Sequence, residues 1–395
     1  MNLADYRRMA NRQNRLLNRK NQIDKGFHNG IFYRYRNPVL TNEHVPIHWR
    51  YDLNIVTNPH FIERLGVNSV FNPGAIIHEG AYYLMARVEG NDRKSFFALA
   101  KSTSGSDRFA FVGKPILWDR PLADEVNMYD IRLVRHEDGQ IYGTYCSETK
   151  DHEDKGNVAA AIARTALVRT RDLQRWEMLG IIKTNANQQR NVVLHPEFIG
   201  GAYAFYTRPQ DGFIETGSGG GICLGLCKDI NHPVVAEEVL LSPRRFHTIY
   251  EAKNGQGPAP IKTDWGWIHI AHGVRMTAAG YRYVLYAFAT SLNDPFKVIA
   301  APSGYLLAPY KDERIGDVPN VVFCNGAVVN DANEVFIYYA GSDSRTYVAR
   351  TTIAILQDYV FNSPPEAFTA TECIQQRLAL IEQNRSHLKG RKNHG

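Results

Sequence analysis

Three observations predict that this 395-residue chain is all-β, a five-bladed β-propeller with helical extensions at its N and C termini. A strand–turn–strand unit recurs five times, and helical periodicity is confined to the two ends. The copies start roughly 55 to 70 residues apart, long enough for four strands each. The unit is an apolar strand, a short turn holding Gly or Asp/Asn, then an aromatic-rich strand. Its copies are residues 72–87, 129–145, 191–208, 258–272 and 325–340. Further strands follow each copy, such as 96–101 and 109–112 in the first unit, and 161–164 and 172–179 in the second. A long sandwich fits this repeat less well, and a β-helix needs a shorter period.

The ends read differently. Residues 3–20 form an amphipathic helix, with Leu3, Tyr6, Met9, Leu16 and Leu17 on a narrow apolar stripe amid basic residues. That stripe must be buried, either on its own chain or, as we expect, against another subunit of a homo-oligomer. Residues 371–388 form a second helix, and Lys389 to Gly395 are expected to fray. The domain reading is therefore a helical extension over 1–30, a propeller over 31–365, and a helix and tail over 366–395.

Composition narrows the function. Hydrophobic residues are 44% and charged residues 22%, as in ordinary globular proteins. The net charge of +6 suggests nucleic-acid binding, but its distribution argues against that. Residues 1–20 carry net +5 and residues 376–395 net +4, which leaves −3 for the body. No membrane partner is expected, since no apolar run reaches the length of a span. The N-terminus has no apolar h-region, so no secretory signal is expected. Its arginines resemble a transit peptide, but Asp5 and the lack of serine count against one. Five cysteines at scattered positions do not form a disulfide framework, and Cys223 and Cys227 lack the second pair of a zinc site. No metal site is expected, and the chain is assigned to the cytoplasm.

In a propeller the first strands line a central channel, so polar residues distant in sequence meet at one end. The stretch Tyr129-Asp-Ile-Arg132 is the most informative. On a regular strand Asp130 and Arg132 share one face, while Tyr129 and Ile131 take the other. The plain reading of that pair is a structural salt bridge. The other units contribute Asn72, Arg87, Glu89, Asp92, Arg93 and Lys94; Arg190, Asn191 and Arg208; Lys253, His272, Tyr281 and Tyr283; and Asp317 and Asp343. Arg190, Arg208 and Lys253 are cationic and His272 can become so; together they would make an anion site suited to phosphate. The run Gly217-Ser-Gly-Gly-Gly221 lacks the lysine and helix of a P-loop and reads as a turn. His195 and His269 read as structural. One carboxylic acid beside a cationic cradle suggests a phosphorylase, because phosphate is already a nucleophile and needs no second carboxylate as base.

These residues carry a resemblance to the mannoside phosphorylases of glycoside hydrolase family 130, running from about Arg34 to Asp358. It rests on Asn72 with Arg87-Val-Glu-Gly, Tyr129-Asp-Ile-Arg132, Gln189-Arg-Asn-Val-Val-Leu-His-Pro-Glu197 and Tyr206-Thr-Arg-Pro209. It continues through Ile261-Lys-Thr, Ala271-His-Gly-Val, Gly316-Asp-Val-Pro-Asn-Val321 and Tyr338-Tyr-Ala-Gly-Ser-Asp343. Trp49-Arg-Tyr-Asp-Leu-Asn54, Asp92-Arg-Lys-Ser-Phe-Phe97, Arg208-Pro-Gln-Asp-Gly-Phe213 and Thr216-Gly-Ser-Gly-Gly-Gly221 point, within that family, to members acting on β-1,4-mannosyl-glucose.

The resemblance implies a five-bladed propeller and inverting, reversible phosphorolysis of that disaccharide to α-mannose 1-phosphate and glucose. Longer β-1,4-mannosides are the alternative substrates, and a non-catalytic glycan-binding propeller is the alternative of another class. The resemblance makes Asp130 the general acid, its proton passing through the mannosyl 3-hydroxyl. It places Arg190, Asn191, Arg208, Lys253, His272 and Tyr283 on the phosphate side, with Tyr281 the alternative to Tyr283. It places Asn72, Arg87 and Asp343 at the mannosyl ring and Arg93 at the acceptor glucose. No cofactor is implied; phosphate is a co-substrate. Many relatives have Asp-Pro-Arg where this chain has Asp130-Ile131-Arg132, a difference of little expected effect because Ile131 points away.

Overall fold

The computed structural model describes residues 3–392, with side chains over 4–388. The chain is mostly β, and its strands fall into five antiparallel units that follow sequence order. The first unit runs Val67–His78, Ala81–Gly90, Ser95–Ser102 and Ala110–Phe111. The second runs Asn127–Arg135, Ile141–Lys150, Ala161–Thr170 and Glu177–Ile181. The third runs Val193–Leu194, Tyr203–Thr207, Ile222–Cys227 and Val239–Ser242.

In the fourth unit the inner strand is broken into Lys253–Gln256 and Ile261–Thr263, both paired with Gly266–Thr277. Pro258 and Pro260 lie in the break, where they cannot donate to the ladder. Gly280–Thr290 and Val298–Ala300 complete that unit. The fifth unit is Val322–Val329, Glu334–Gly341 and Arg345–Thr352. Its fourth strand is Tyr33–Arg34, supplied by the start of the chain and paired antiparallel with Arg350 and Ala349. A two-residue strand has no periodicity, so the sequence did not reveal this pairing. A parallel bridge from Val70 to Arg345 joins the fifth unit to the first.

Apolar cores lie between successive units rather than within them. Ile76, Met85 and Phe97 of the first unit pack on Ile131, Leu133 and Tyr145 of the second. Val134 and Leu167 meet Leu194 and Phe205; Tyr206 and Leu224 meet Ala271 and Phe288. Ile268 and Leu285 meet Val322 and Ile337. Tyr338 and Val348 of the fifth unit then pack on Leu84 and Ala86 of the first. Every unit therefore shares a core with both neighbours.

The helical ends match expectation in part. The first helix is Leu3–Leu17 and lies on its own chain: Gln13 Nε2 donates to the carbonyls of Glu43 and Val45, Arg12 pairs with Glu43, and Tyr6 meets Phe61 edge-on. The C-terminal helix is Ala370–Lys392. Thr369 and Glu372 cap its start reciprocally, Glu372 N donating to Thr369 Oγ1 at 3.1 Å and Thr369 N to Glu372 Oε2 at 3.0 Å. The backbone expected to fray from Lys389 is helical to Lys392, and 393–395, like Met1 and Asn2, lie outside the described residues. A helix the sequence reading did not foresee, Ile353–Asn362, buries Leu356 and Val360 against the core shared by the fourth and fifth units. Its apolar run reads as readily as a strand.

Candidate active site

The inner strands are irregular where they approach one another, and this irregularity makes the site. Register shifts fall between Phe71 and Gly74, Tyr129 and Arg132, and Cys324 and Gly326. Asn72, Asp130 and Asn191 have left-handed backbones, with φ of 44°, 60° and 57°. Asn and Asp tolerate this region better than other side chains with a Cβ, which explains the residue types.

The bulge corrects the expected pairing of Asp130 and Arg132. Strand alternation fails at φ 60°, so the two side chains part company. Arg132 is 2% exposed and donates Nη1 to the Asp130 carbonyl oxygen at 2.8 Å, not to the carboxylate. Ile131 points into the core between the first and second units, as expected.

The Asp130 carboxylate faces a cavity of about 970 Å³. Asn72 Nδ2 donates to its Oδ1 at 2.8 Å, and Arg87 Nη1 lies 3.4 Å from the same oxygen. Arg87 is fixed by Ser95 Oγ at 2.9 Å, by Glu89, and by the nearby rings of Phe71 and Tyr129. Asp343, at φ 50°, lines the same wall. Burial, then repulsion from Asp130, pushes its carboxyl up to about 7 against the pull of Arg87. Arg93 sits in an exposed turn of the first unit, tied to the second by Asn127 Nδ2 donating to its carbonyl at 3.3 Å.

The third and fourth units supply a cationic part of the lining. Arg190 sits over Phe213, with its Cζ 3.9 Å from the ring centroid, and among the described residues its Nε and Nη2 have no hydrogen-bond partner. Arg208 is 4% exposed; its Nη2 donates to Gln210 Oε1 at 2.9 Å, and among the described residues its Nε has no hydrogen-bond partner. Lys253 is 8% exposed, beneath Tyr281. Among the described residues, none of these three cations forms a salt bridge. Burial, then repulsion from Arg190, lowers Arg208 to about 10; burial, then Arg208 and Arg190, lowers Lys253 to about 8. Such a cluster is relieved by an anion.

Asn191 lines the cavity with its Oδ1 held by Arg132 Nη2 at 2.7 Å. Tyr281 and Tyr283 both line it, and burial raises Tyr283 to about 12. His272 is placed differently from expectation. It is wholly buried behind Arg208, with Nε2 3.4 Å from Arg208 Nη1. Burial and the charges of Arg208, Arg132 and Lys253 push it far below its usual range, so it is neutral and accepts from Arg208. The cationic wall thus has three charges.

Several supporting residues escaped the sequence reading. Gln189 Oε1 accepts from the Arg208 backbone N–H at 3.1 Å, and Gln210 lies beside the Arg208 guanidinium. The signal was adjacency: Gln189 precedes Arg190, and Gln210 lies two residues beyond Arg208. His195 and His269 are structural, as expected: His195 Nδ1 is 2.9 Å from the Tyr206 hydroxyl, and His269 bridges Gln256 and Thr290. Residues 217–221 form a turn before Ile222–Cys227, and the cysteines other than exposed Cys373 are buried and unpaired. Among the described residues, no group of three His, Cys, Asp or Glu could hold a metal, and no helix is long and apolar enough to cross a membrane.

Residues 41–360 match the glycoside hydrolase family 130 model, described as β-1,4-mannooligosaccharide phosphorylase. The chain is 52% identical over 371 residues to 4-O-β-D-mannosyl-D-glucose phosphorylase of Bacteroides fragilis, covering 93% of this chain and 94% of that one. It is 34% identical to β-1,4-mannooligosaccharide phosphorylase of Ruminococcus albus over 43% of this chain and 50% of that one. The structure of β-1,2-mannobiose phosphorylase from Listeria innocua with β-1,2-mannobiose superposes with a TM-score of 0.67 at 22% identity, covering 83% of this chain and 99% of that one, so the two share a fold. With a family model spanning most of its length and a relative of this identity aligned nearly end to end, the chain belongs to glycoside hydrolase family 130.

Proposed function

We propose that this chain catalyses the reversible, inverting phosphorolysis of 4-O-β-D-mannosyl-D-glucose to α-D-mannose 1-phosphate and D-glucose. One observation carries the reading: Asp130 shares a cavity with three cations, Arg190, Arg208 and Lys253, that form no salt bridge among the described residues. The identity to the Bacteroides fragilis enzyme supports the choice of disaccharide.

In this scheme Asn72, Arg87 and Asp343 hold the mannosyl ring and Arg93 meets the glucose. Arg190, Arg208, Lys253, Asn191 and Tyr283 hold phosphate, with His272 orienting Arg208 from behind. Asp130 delivers a proton to the glucose O4, relayed by the mannosyl 3-hydroxyl. The bond from the anomeric carbon to O4 breaks as a phosphate oxygen bonds that carbon from the opposite face, which inverts it. Phosphate is the nucleophile, so no carboxylate base and no cofactor enter the scheme.

We read the five units as propeller blades; the cores shared by all neighbours, fifth with first, support this. Residues 31–365 are then the catalytic domain, with 1–30 and 366–395 as extensions. The four buried, unpaired thiols suit the reducing cytoplasm. The half-exposed Tyr6, Met9, Leu16 and Leu17 of the first helix support a homo-oligomer, tested by solution mass after deletion of residues 1–20.

The deciding experiment is glucose release from mannosyl-glucose with and without phosphate, alongside mannobiose and mannotriose. Release that is unchanged without phosphate would sink the reading. Faster turnover of mannotriose would move the chain to longer β-mannosides, for which a cavity of about 970 Å³ has room.

A further inference from the structure

A belt of hydrogen bonds runs round the floor of the cavity, and one buried side chain makes most of it. Asn325 Nδ2 of the fifth unit donates to the Asn72 carbonyl at 3.2 Å, and Asn72 Nδ2 donates to Asp130 Oδ1 at 2.8 Å. Arg132 carries the belt onward. Its Nη1 donates to the Asp130 carbonyl at 2.8 Å and its Nη2 to Asn191 Oδ1 at 2.7 Å. Its Nε donates to the Gly257 carbonyl at 3.0 Å, with the Gln256 carbonyl 3.4 Å from Nη2. One guanidinium thus bonds the second, third and fourth units at once.

Two features set Arg132 apart from an ordinary core residue. Its acceptors are all neutral, and burying a cation without a paired anion is costly. The residues it grips, Asp130 and Asn191, both have left-handed backbones, a conformation that persists only where the surroundings impose it. Arg132 does not line the cavity, so it acts on the reaction through the residues it grips and through the charge it places behind them.

We propose that Arg132 is the positioning residue of this site, fixing the proton donor Asp130 and the phosphate-side Asn191 at a set separation. This rests on the phosphorylase reading above. A lysine cannot substitute: its donors radiate from one point, whereas the guanidinium fork spans acceptors on three units.

The test uses the full-length enzyme and the variants Arg132→Lys and Arg132→Ala. Arg132→Lys should lower kcat by about 10- to 100-fold, since misplacement by an ångström costs about that much. Its KM for phosphate should rise while its KM for the disaccharide changes little, because Asn191 loosens and the mannosyl-side residues do not. Guanidinium chloride at non-denaturing concentration should restore part of the activity of Arg132→Ala and none to Asp130→Asn. Arg132→Lys with wild-type kcat and phosphate KM overturns the proposal, even if its Tm falls, because Arg132 is then only a core residue. Should Arg132→Ala fail to fold, Arg132→Lys decides. Should the wild type not turn over mannosyl-glucose, the substrate reading fails, and calorimetric titration with inorganic phosphate decides the role of Arg132. Weaker phosphate binding by Arg132→Lys supports that role, equal binding overturns it, and a wild type that binds no phosphate overturns both.

Discussion

Replacing Asp130 by Asn separates chemistry from folding at this site. Asn has the same shape and tolerates the left-handed φ of 60° as Asp does, so the backbone has no reason to move. Its amide oxygen still accepts from Asn72 Nδ2, the 2.8 Å bond of the native carboxylate. Two things are lost. One is attraction to Arg87 Nη1 at 3.4 Å, in a pair whose side chains remain 15% and 16% exposed. Arg87 keeps Glu89 and Ser95, so its buried charge is not left without a partner and the loss in stability is small. The other is the proton. General acid catalysis contributes about 10²- to 10⁴-fold, or about 2.7 to 5.4 kcal/mol at 1.36 kcal/mol per decade. Asp130→Asn should therefore melt within a few degrees of wild type while kcat for glucose release falls by two to four decades, with phosphate KM little changed. A β-mannoside with a nitrophenol leaving group, which departs without a proton, should be less impaired. A folded Asp130→Asn enzyme with more than a tenth of wild-type turnover on mannosyl-glucose would refute the role of Asp130.

Further outcomes follow from the cationic wall. Arg208→Ala should raise the phosphate KM by at least tenfold and leave the disaccharide KM near wild type, read from initial rates at varied phosphate. Lys253 is held at about 8, below its usual range, so it carries its charge below that pH and sheds it as pH rises through it. Phosphate KM should accordingly climb above pH of about 8, and Lys253→Met should bind phosphate weakly at every pH and lose that limb of the profile. At Gly255 a Cβ would sit 2.5 Å from His272 Cε1 and 3.0 Å from Asn191 Nδ2. Gly255→Ala should cost about 1 to 3 kcal/mol in stability, as overpacking does, and weaken phosphate binding in a calorimetric titration.

Much was legible in the sequence because it is written locally. Period-two apolar strands with turn residues between them marked five hairpins at residues 72–87, 129–145, 191–208, 258–272 and 325–340, and each hairpin is present in the fold. The polar residues at those strands were legible too: Asn72, Arg87, Asp130, Arg190, Asn191, Arg208, Lys253, Tyr283 and Asp343 all line one cavity. Sequence patterns show alternation and residue type, and these suffice to name the carriers of charge.

What tertiary structure decided is geometry that alternation cannot encode. A bulge and a left-handed φ at Asp130 turned an apparent Asp130–Arg132 pair into a cavity-lining carboxylate and a buried clamp, because one extra residue in a strand reverses every side chain beyond it. The charge on His272 was decided by burial and by three cations from other parts of the chain, none near it in sequence. The strand that completes the fifth unit came from residues 33–34, more than 300 residues from its partner Arg350, where only packing of the ends could bring it. Chemistry thus follows residue identity, while roles follow distances set when five distant strands meet.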